Sequence, residues 1–134
     1  MVLFFLMNLN ASFSQVKKKI EKILHVQDTY WNQGDIEGFM KTYWQDDALM
    51  FIGKSGVTYG WNNTLNNYKR GYPDITAMGQ LHFDLIQIKK LSRKYYFVVG
   101  KWYLSRTIGD LQGHFTLLIK KIRNHWVIIA DHSS

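Results

Sequence analysis

The chain has 134 residues, of which 46% are hydrophobic and 16% aromatic, which is enough apolar surface for one domain with a single core. It contains no cysteine, which excludes disulfides, thiolate catalysis and cysteine-based metal sites. Its formal net charge of +7 is spread over short basic groups along the chain, a pattern typical of a solvated surface rather than of nucleic-acid binding.

The first residues differ from the rest of the chain. Residues 2–7 form a short apolar run, and small residues follow at the spacing that a signal peptidase accepts. This pattern predicts a secretory signal peptide over residues 1–14 with cleavage before Gln15. Because no Lys or Arg precedes the run, a truncated signal or a first element of the domain are the alternatives. The run is shorter than the roughly 20 residues that span a bilayer, so no membrane span is expected.

An exported location, periplasmic or secreted, follows from this segment, and a cytoplasmic location is the alternative. The rest of the chain shows no linker, repeat or low-complexity tract, so residues 15–134 are predicted to form one domain.

Two amphipathic helices are predicted next. Apolar residues at spacings of three and four predict a helix over residues 16–32 with one buried stripe. Gly34 ends this helix, and Asp35 is a suitable N-cap for a second, shorter helix whose apolar face extends to Trp44.

A small hairpin and a third helix follow. Residues 48–52 and 57–59 flank a Gly-rich turn and predict two short antiparallel strands. Residues 61–70 predict a helix with Trp61 and Tyr68 on its apolar side, ended by a glycine.

From Gly79 onward the pattern predicts only strands. Four long runs, joined by turns, alternate apolar and polar residues. The complete order predicts an α+β fold, in which three N-terminal helices pack against one face of a cone-shaped, curved antiparallel sheet. The helices and the covered face of such a sheet enclose a hollow.

A set of short motifs is distributed over the chain from residue 15 to its end. They are Gly34-Asp35, Tyr43-Trp44, Phe51-Ile52-Gly53, Gly60-Trp61, Gly100-Lys101-Trp102, Gly109-Asp110, Gly113-His114-Phe115-Thr116 and the segment 126–134. Together they resemble the nuclear-transport-factor-2-like superfamily, which has a cystatin-like fold. Within it the chain is similar to the uncharacterised domain family 4440, near the SnoaL-like polyketide-cyclase and ketosteroid-isomerase-like branches.

The resemblance implies a homodimer formed through the outer face of the sheet. It selects no single activity, because this superfamily contains isomerases, cyclases, dehydratases, oligomerisation domains and binding proteins on one fold. Function must therefore be argued from individual residues.

The register of the last two strands follows from a two-residue turn at Arg123-Asn124, because Asn tolerates the left-handed conformation that such turns require. This register places Thr116 opposite Asp131. A preceding turn at Gly109-Asp110 extends the same face onto the neighbouring strand. The face that we expect to line the hollow carries these polar residues: Tyr103, Ser105, His114, Thr116 and Asp131.

A single β-bulge would exchange the two faces, and bulges are frequent in strongly curved sheets. The residues that would then point inward are Trp102, Arg106 and His132. Tyr59, at the end of the predicted hairpin, and Trp61, at the start of the third helix, are further candidates for contact with a ligand.

His114 and Asp131 are the candidate catalytic residues. Histidine titrates near neutral pH, and a carboxylate can orient it or raise its proton affinity, which gives a general base or acid. Tyr59 or Tyr103 is then the donor to a developing enolate. The alternative is that His114 and Asp131 only satisfy each other's hydrogen bonds beneath packed aromatic rings.

These features predict a domain that binds a small apolar or amphipathic molecule in a partly polar, aromatic-lined pocket. One alternative is a cofactor-free isomerase, cyclase or dehydratase that acts by general acid/base catalysis. Another is a dimeric interaction module with a closed core, which a cavity smaller than roughly 300 Å³ would favour. No cofactor and no metal are expected, because no sequence spacing typical of a metal site occurs.

Overall fold

A computed structural model of the protein describes residues 11–134. Its helices are α1 (Phe13–Asn32), α2 (Ile36–Met40), α3 (Trp61–Gly71) and α4 (Ile75–Met78). Its strands are β1 (Met50–Gly53), β2 (Gly56–Tyr59), β3 (Gln80–Lys90), β4 (Tyr95–Ser105), β5 (Leu111–Ile122) and β6 (His125–Ser133). The signal peptide predicted over residues 1–14 lies largely outside the described residues and stays a prediction.

All six strands belong to one curved sheet in the order β2-β1-β6-β5-β4-β3. The predicted α+β architecture, with N-terminal helices against a curved sheet, is confirmed. The sheet is mixed rather than antiparallel throughout, because β1 pairs in parallel with β6. The short hairpin therefore extends the sheet on the side of β6 and places β2 at the edge.

Helix α1 is fixed at both ends. It begins at Phe13, three residues earlier than predicted, because Ser12 and Gln15 form reciprocal capping hydrogen bonds. At its other end, the indole Nε1 of Trp31 donates to the carbonyl of Met78 at 3.0 Å. The side chain of Asn32 donates to the carbonyl of Leu81 at 3.1 Å and accepts from its amide at 2.6 Å. These bonds hold the end of α1 against the last residue of α4 and the beginning of β3.

Helix α2 is shorter than the sequence pattern predicts. It ends at Met40, and the next residues pair with β6 instead of continuing the helix. The amide of Ile128 donates to the carbonyl of Thr42 at 3.1 Å, and the amide of Trp44 donates to the carbonyl of Ile128 at 2.9 Å. Tertiary pairing thus overrides the helical spacing of the apolar residues in this segment.

Helix α4 was not predicted; Asp74 caps it by accepting from the amide of Ala77.

The two-residue turn between β5 and β6 is confirmed, since Arg123 and Asn124 have φ angles of 48° and 65°. The predicted register holds from this turn as far as the pair Ile119 and Ile128. Ile129 is then an extra residue in β6, because Leu118 pairs with Ala130. This bulge shifts the remainder of β6 by one residue.

The predicted pairing of Thr116 with Asp131 is wrong, and the bulge at Ile129 is the reason. Asp131 pairs with Leu117, and Thr116 pairs with His132. Asp131 therefore shares a face with Leu117, whereas His114 and Thr116 lie on the opposite face.

The helices cover the face of β4 and β5 that was expected to point outward. The covered face carries large apolar side chains: Tyr96, Val98, Trp102, Leu104, Phe115, Leu117 and Ile119. The expected inner residues Tyr103, Ser105, His114 and Thr116 lie on the outer face, so that prediction is wrong. Burial of the more apolar set removes more hydrocarbon from water, which decides the side that the helices cover.

Candidate functional site

A cavity of about 610 Å³ lies between the helices and the covered face of the sheet. Its lining combines Trp31 from α1, Phe39 from α2 and Tyr68 from α3 with side chains of β3 to β6. This volume exceeds the roughly 300 Å³ below which an interaction module with a closed core would be favoured.

Aromatic rings form the helical wall of the cavity. Trp31 contacts Phe39 and Tyr72 edge-to-face, with ring centroids 5.1 Å and 5.0 Å apart. Tyr68 makes the same kind of contact with Phe39 at 5.2 Å and with Phe51 of β1 at 5.5 Å. All five rings line the cavity. Because each ring is held by its neighbours, this wall presents a firm apolar surface.

Asp131 lines the cavity from β6, is paired with Phe51 of β1, and is only 5% exposed. Its Oδ2 accepts a hydrogen bond of 2.6 Å from the Tyr43 hydroxyl. Its Oδ1 accepts one of 2.8 Å from the hydroxyl of Ser133, which lies two residues further along the same face of β6. Tyr43 reaches this position because its backbone is bridged to Ile128.

Burial raises the pKa of Asp131 to about 6, although the hydrogen bonds from Tyr43 and Ser133 and the proximity of His132 act in the opposite direction. Burial, followed by the nearby charge of Asp131, also raises the pKa values of Tyr43 and Tyr68 well above the usual range. Both phenols therefore keep their protons at neutral pH. Asp131 is the group in this cluster that changes its charge close to physiological pH.

Trp102 is a further aromatic residue of the lining. It lines the cavity from β4, and its buried Nε1 has no hydrogen-bond partner among residues 11–134. A buried donor of this kind is normally paired. This N–H group lies beside Gly113 and is enclosed by the protein rather than exposed to the cavity.

The structure brings two of the sequence-predicted site residues to the cavity, Asp131 and Trp102. The others on the strands project from the outer face: Tyr103, Ser105, His114, Thr116 and His132. The expected proximity of His114 and Asp131 is wrong, because the two side chains lie on opposite faces of the sheet.

The remaining predicted residues have other surroundings. Arg106 donates from Nε to the carbonyl of Gly109 at 2.7 Å and from Nη1 to that of Ala77 at 3.1 Å, so it supports the connections around β4. Trp61 donates to the carbonyl of Met40 at 2.8 Å and anchors the start of α3. Tyr59 is 57% exposed on β2. None of these three lines the cavity.

Tyr43, Tyr68 and Ser133 are the hydroxyl-bearing residues near Asp131 that sequence reasoning missed. The position of Ser133 could have been predicted from the alternation of side chains along β6, because residues two apart point to the same face. Tyr68 was placed on the apolar side of the third helix but was not assigned to the site. The position of Tyr43 depends on backbone pairing with a distant strand, for which the sequence carries no local signal.

Within residues 11–134, no group of three His, Asp or Glu side chains is arranged to hold a metal ion. No helix in the same part of the chain is both long and apolar enough to cross a membrane.

Comparison with known proteins gives matches among solved structures. No family model matches the chain, and no curated protein matches it. The chain is similar to an NTF2-like protein of unknown function from Shewanella oneidensis MR-1, with 42% identity and a TM-score of 0.85. That match covers 89% of this chain and 98% of the other.

Two further structures are alike in fold. A nuclear transport factor 2 (NTF2-like) superfamily protein from Salmonella enterica serovar Typhimurium has 18% identity and a TM-score of 0.73, over 92% of each chain. A ketosteroid isomerase-like protein from Erwinia carotovora atroseptica has 16% identity and a TM-score of 0.71, over 91% of this chain and 97% of the other. The finer resemblance to domain family 4440 stays a prediction.

The raised pKa of Asp131 predicts how stability depends on pH. The carboxyl titrates near 3.8 when unfolded and near 6 when folded, so between these values the folded protein binds more protons. The free energy of unfolding should therefore fall as the pH rises through this window, by about 3 kcal/mol from this residue. Asp131→Asn should remove this component, as measured by chemical denaturation between about pH 4 and pH 7.

The matched control is Asp47→Asn, which alters an exposed carboxylate outside the cavity. Its stability should change with pH in parallel with the wild type. Parallel profiles for wild type and Asp131→Asn would contradict the assignment of a raised pKa to Asp131.

Proposed function

The chain belongs to the nuclear-transport-factor-2-like superfamily, and on this basis we propose that it binds a small, mostly apolar molecule in the cavity between its helices and its sheet. The observation that carries the proposal is a cavity of about 610 Å³ lined by packed aromatic rings and one buried carboxylate. Its volume lies within the range of small-molecule sites, roughly 300–1,000 Å³.

The apolar and the polar groups of the lining have different roles in this proposal. The aromatic rings remove apolar parts of the ligand from water, which supplies most of the affinity. Asp131 offers a hydrogen-bond acceptor, which orients a polar group of the ligand. A few placed polar groups in an apolar cavity favour one binding orientation over others.

Filling the cavity should weaken binding of a neutral aromatic probe, N-phenyl-1-naphthylamine, followed by its fluorescence. Leu111 is half-buried at the start of β5 and lines the cavity. Leu111→Trp should occupy space that the probe needs and lower its affinity by roughly tenfold or more, equivalent to about 1.4 kcal/mol.

The control is His114→Trp, which introduces the same ring on the outer face of the same strand. Circular dichroism and thermal unfolding establish that both variants are folded. Equal affinity of the two folded variants would contradict binding in the cavity.

Asp131 supports a second candidate function, in which the protein catalyses proton transfer next to a carbonyl group without a cofactor. The Asp131 carboxylate accepts the proton from the carbon beside the carbonyl, and the Tyr68 phenol donates a hydrogen bond to the resulting enolate oxygen. A buried carboxylate with a pKa of about 6 suits a general base at neutral pH. His114 has no part in this reaction, because it lies outside the cavity.

Proton transfer is measurable as the exchange of the α-protons of 2-tetralone with D₂O, followed by proton NMR. The wild type should accelerate this exchange, with a rate that increases as the pH rises through about 6 and Asp131 ionises. Asp131→Asn should lower the rate by about 100-fold or more, since it removes the base. His114→Ala is the control and should leave the rate unchanged. If the wild type does not accelerate the exchange but still binds the probe, the proton-transfer function is contradicted and the binding function stands.

We also propose that two copies of the chain associate through the outer face of the sheet. Phe97 of β4, Leu118 of β5 and Ala130 of β6 are paired across three adjacent strands, and all three are half-buried within one copy. A row of apolar side chains at the centre of a sheet face is a suitable core for an interface with a second sheet.

Leu118→Glu should abolish this association, because it places a charge in the apolar centre of the interface. Analytical ultracentrifugation should then give the mass of a dimer for the wild type and of a monomer for the variant. Ile108→Glu, in an exposed turn, is the control and should stay dimeric. A monomeric wild type would contradict the proposal.

A further inference from the structure

The mouth of the cavity carries positive charge. Lys54 and Ser55 from the turn between β1 and β2, with Asn67 and Arg70 from α3, are exposed residues that line the cavity at its solvent side. The charged side chains among the lining residues are Lys54, Arg70 and the deeply buried Asp131. The entrance therefore presents cations, whereas the carboxylate lies inside.

Arg70 is held at this mouth by a short chain of hydrogen bonds. Asn67 donates from Nδ2 to the hydroxyl of Thr58 at 3.0 Å, which links α3 to β2. The Oδ1 of the same Asn67 accepts from the Nη2 of Arg70. The guanidinium group is thus oriented at the cavity by a neighbour that is itself fixed.

Neither cation at the mouth is neutralised by a carboxylate side chain within residues 11–134. Lys69, the neighbour of Arg70 on α3, differs in this respect, since its Nζ is 2.6 Å from the Oε1 of Glu37. Four of the five N–H donors of a guanidinium remain for a ligand when one is used by Asn67. Arginine binds carboxylate, sulfonate and phosphate groups through such donors.

On the basis of the proposed binding function, we infer that the cavity selects amphipathic anions. The apolar body of the ligand lies against the aromatic wall, and its carboxylate, sulfonate or phosphate group lies at the mouth, bound by Arg70 and Lys54. This orientation of the ligand, with its anionic group at the mouth, fits the cavity. The Asp131 carboxylate would repel an anionic group placed inside.

Two fluorescent probes with the same aromatic skeleton test this inference. 8-Anilinonaphthalene-1-sulfonate carries an anionic group, and N-phenyl-1-naphthylamine is its neutral counterpart. Lys54→Gln combined with Arg70→Gln should lower the affinity for the sulfonate by roughly tenfold, as expected for two partly exposed charge contacts. The affinity for the neutral probe should stay within about twofold of the wild type.

Lys69→Gln is the matched control, because it removes one cation from the same helix at a position that does not line the cavity. It should leave both affinities unchanged. Added salt should weaken wild-type binding of the sulfonate but not of the neutral probe.

The outcomes separate this inference from the function on which it rests. If the double variant binds the sulfonate as tightly as the wild type, or loses both probes equally, selection of anions is overturned while binding in the cavity stands. If the wild type binds neither probe, or if Leu111→Trp leaves both affinities intact, the proposed function is overturned as well.

Discussion

A carboxylate that is removed from water must receive hydrogen bonds, and the arrangement of this protein around Asp131 follows from that requirement. The hydroxyls of Tyr43 and Ser133 supply the two bonds. Ser133 is positioned by β6 itself, because it lies two residues after Asp131 on the same strand. Tyr43 reaches Asp131 only because α2 ends at Met40 and the chain then runs beside β6. The early end of one helix is therefore the condition for a polar group inside the cavity.

The parts of the fold that could be predicted from the sequence depend on local signals. Helical spacing, strand alternation and the turn at Arg123-Asn124 each reside in a few neighbouring residues, and they identified the order of the elements. The bulge at Ile129 arises from pairing across the sheet and has no such signal, so the register beyond it was wrong. Asp131 lines the cavity as expected, but on the face that carries Leu117 instead of Thr116.

The choice of the covered face could have been made from the sequence by a different criterion. Polar residues were expected to face the cavity because a binding site needs some of them, yet the helices cover the side with Trp102, Leu104 and Phe115. The hydrophobic effect acts on the whole face, whereas a site requires only one or two polar groups. For curved sheets of this kind, total apolar area decides the orientation, and a single irregularity in a strand can then add the polar group.

Both ends of the cavity are held by hydrogen bonds of the fold. Three hydrogen bonds from Trp31 and Asn32 fasten the end of α1 to Met78 of α4 and Leu81 of β3, and at the other end β1 is paired with both β2 and β6. Opening the first end would break buried bonds, and displacing the hairpin at the second end would break the pairing of β1 with β6. The interior volume is consequently set by the fold itself, so a bound molecule fills a space that exists before it arrives.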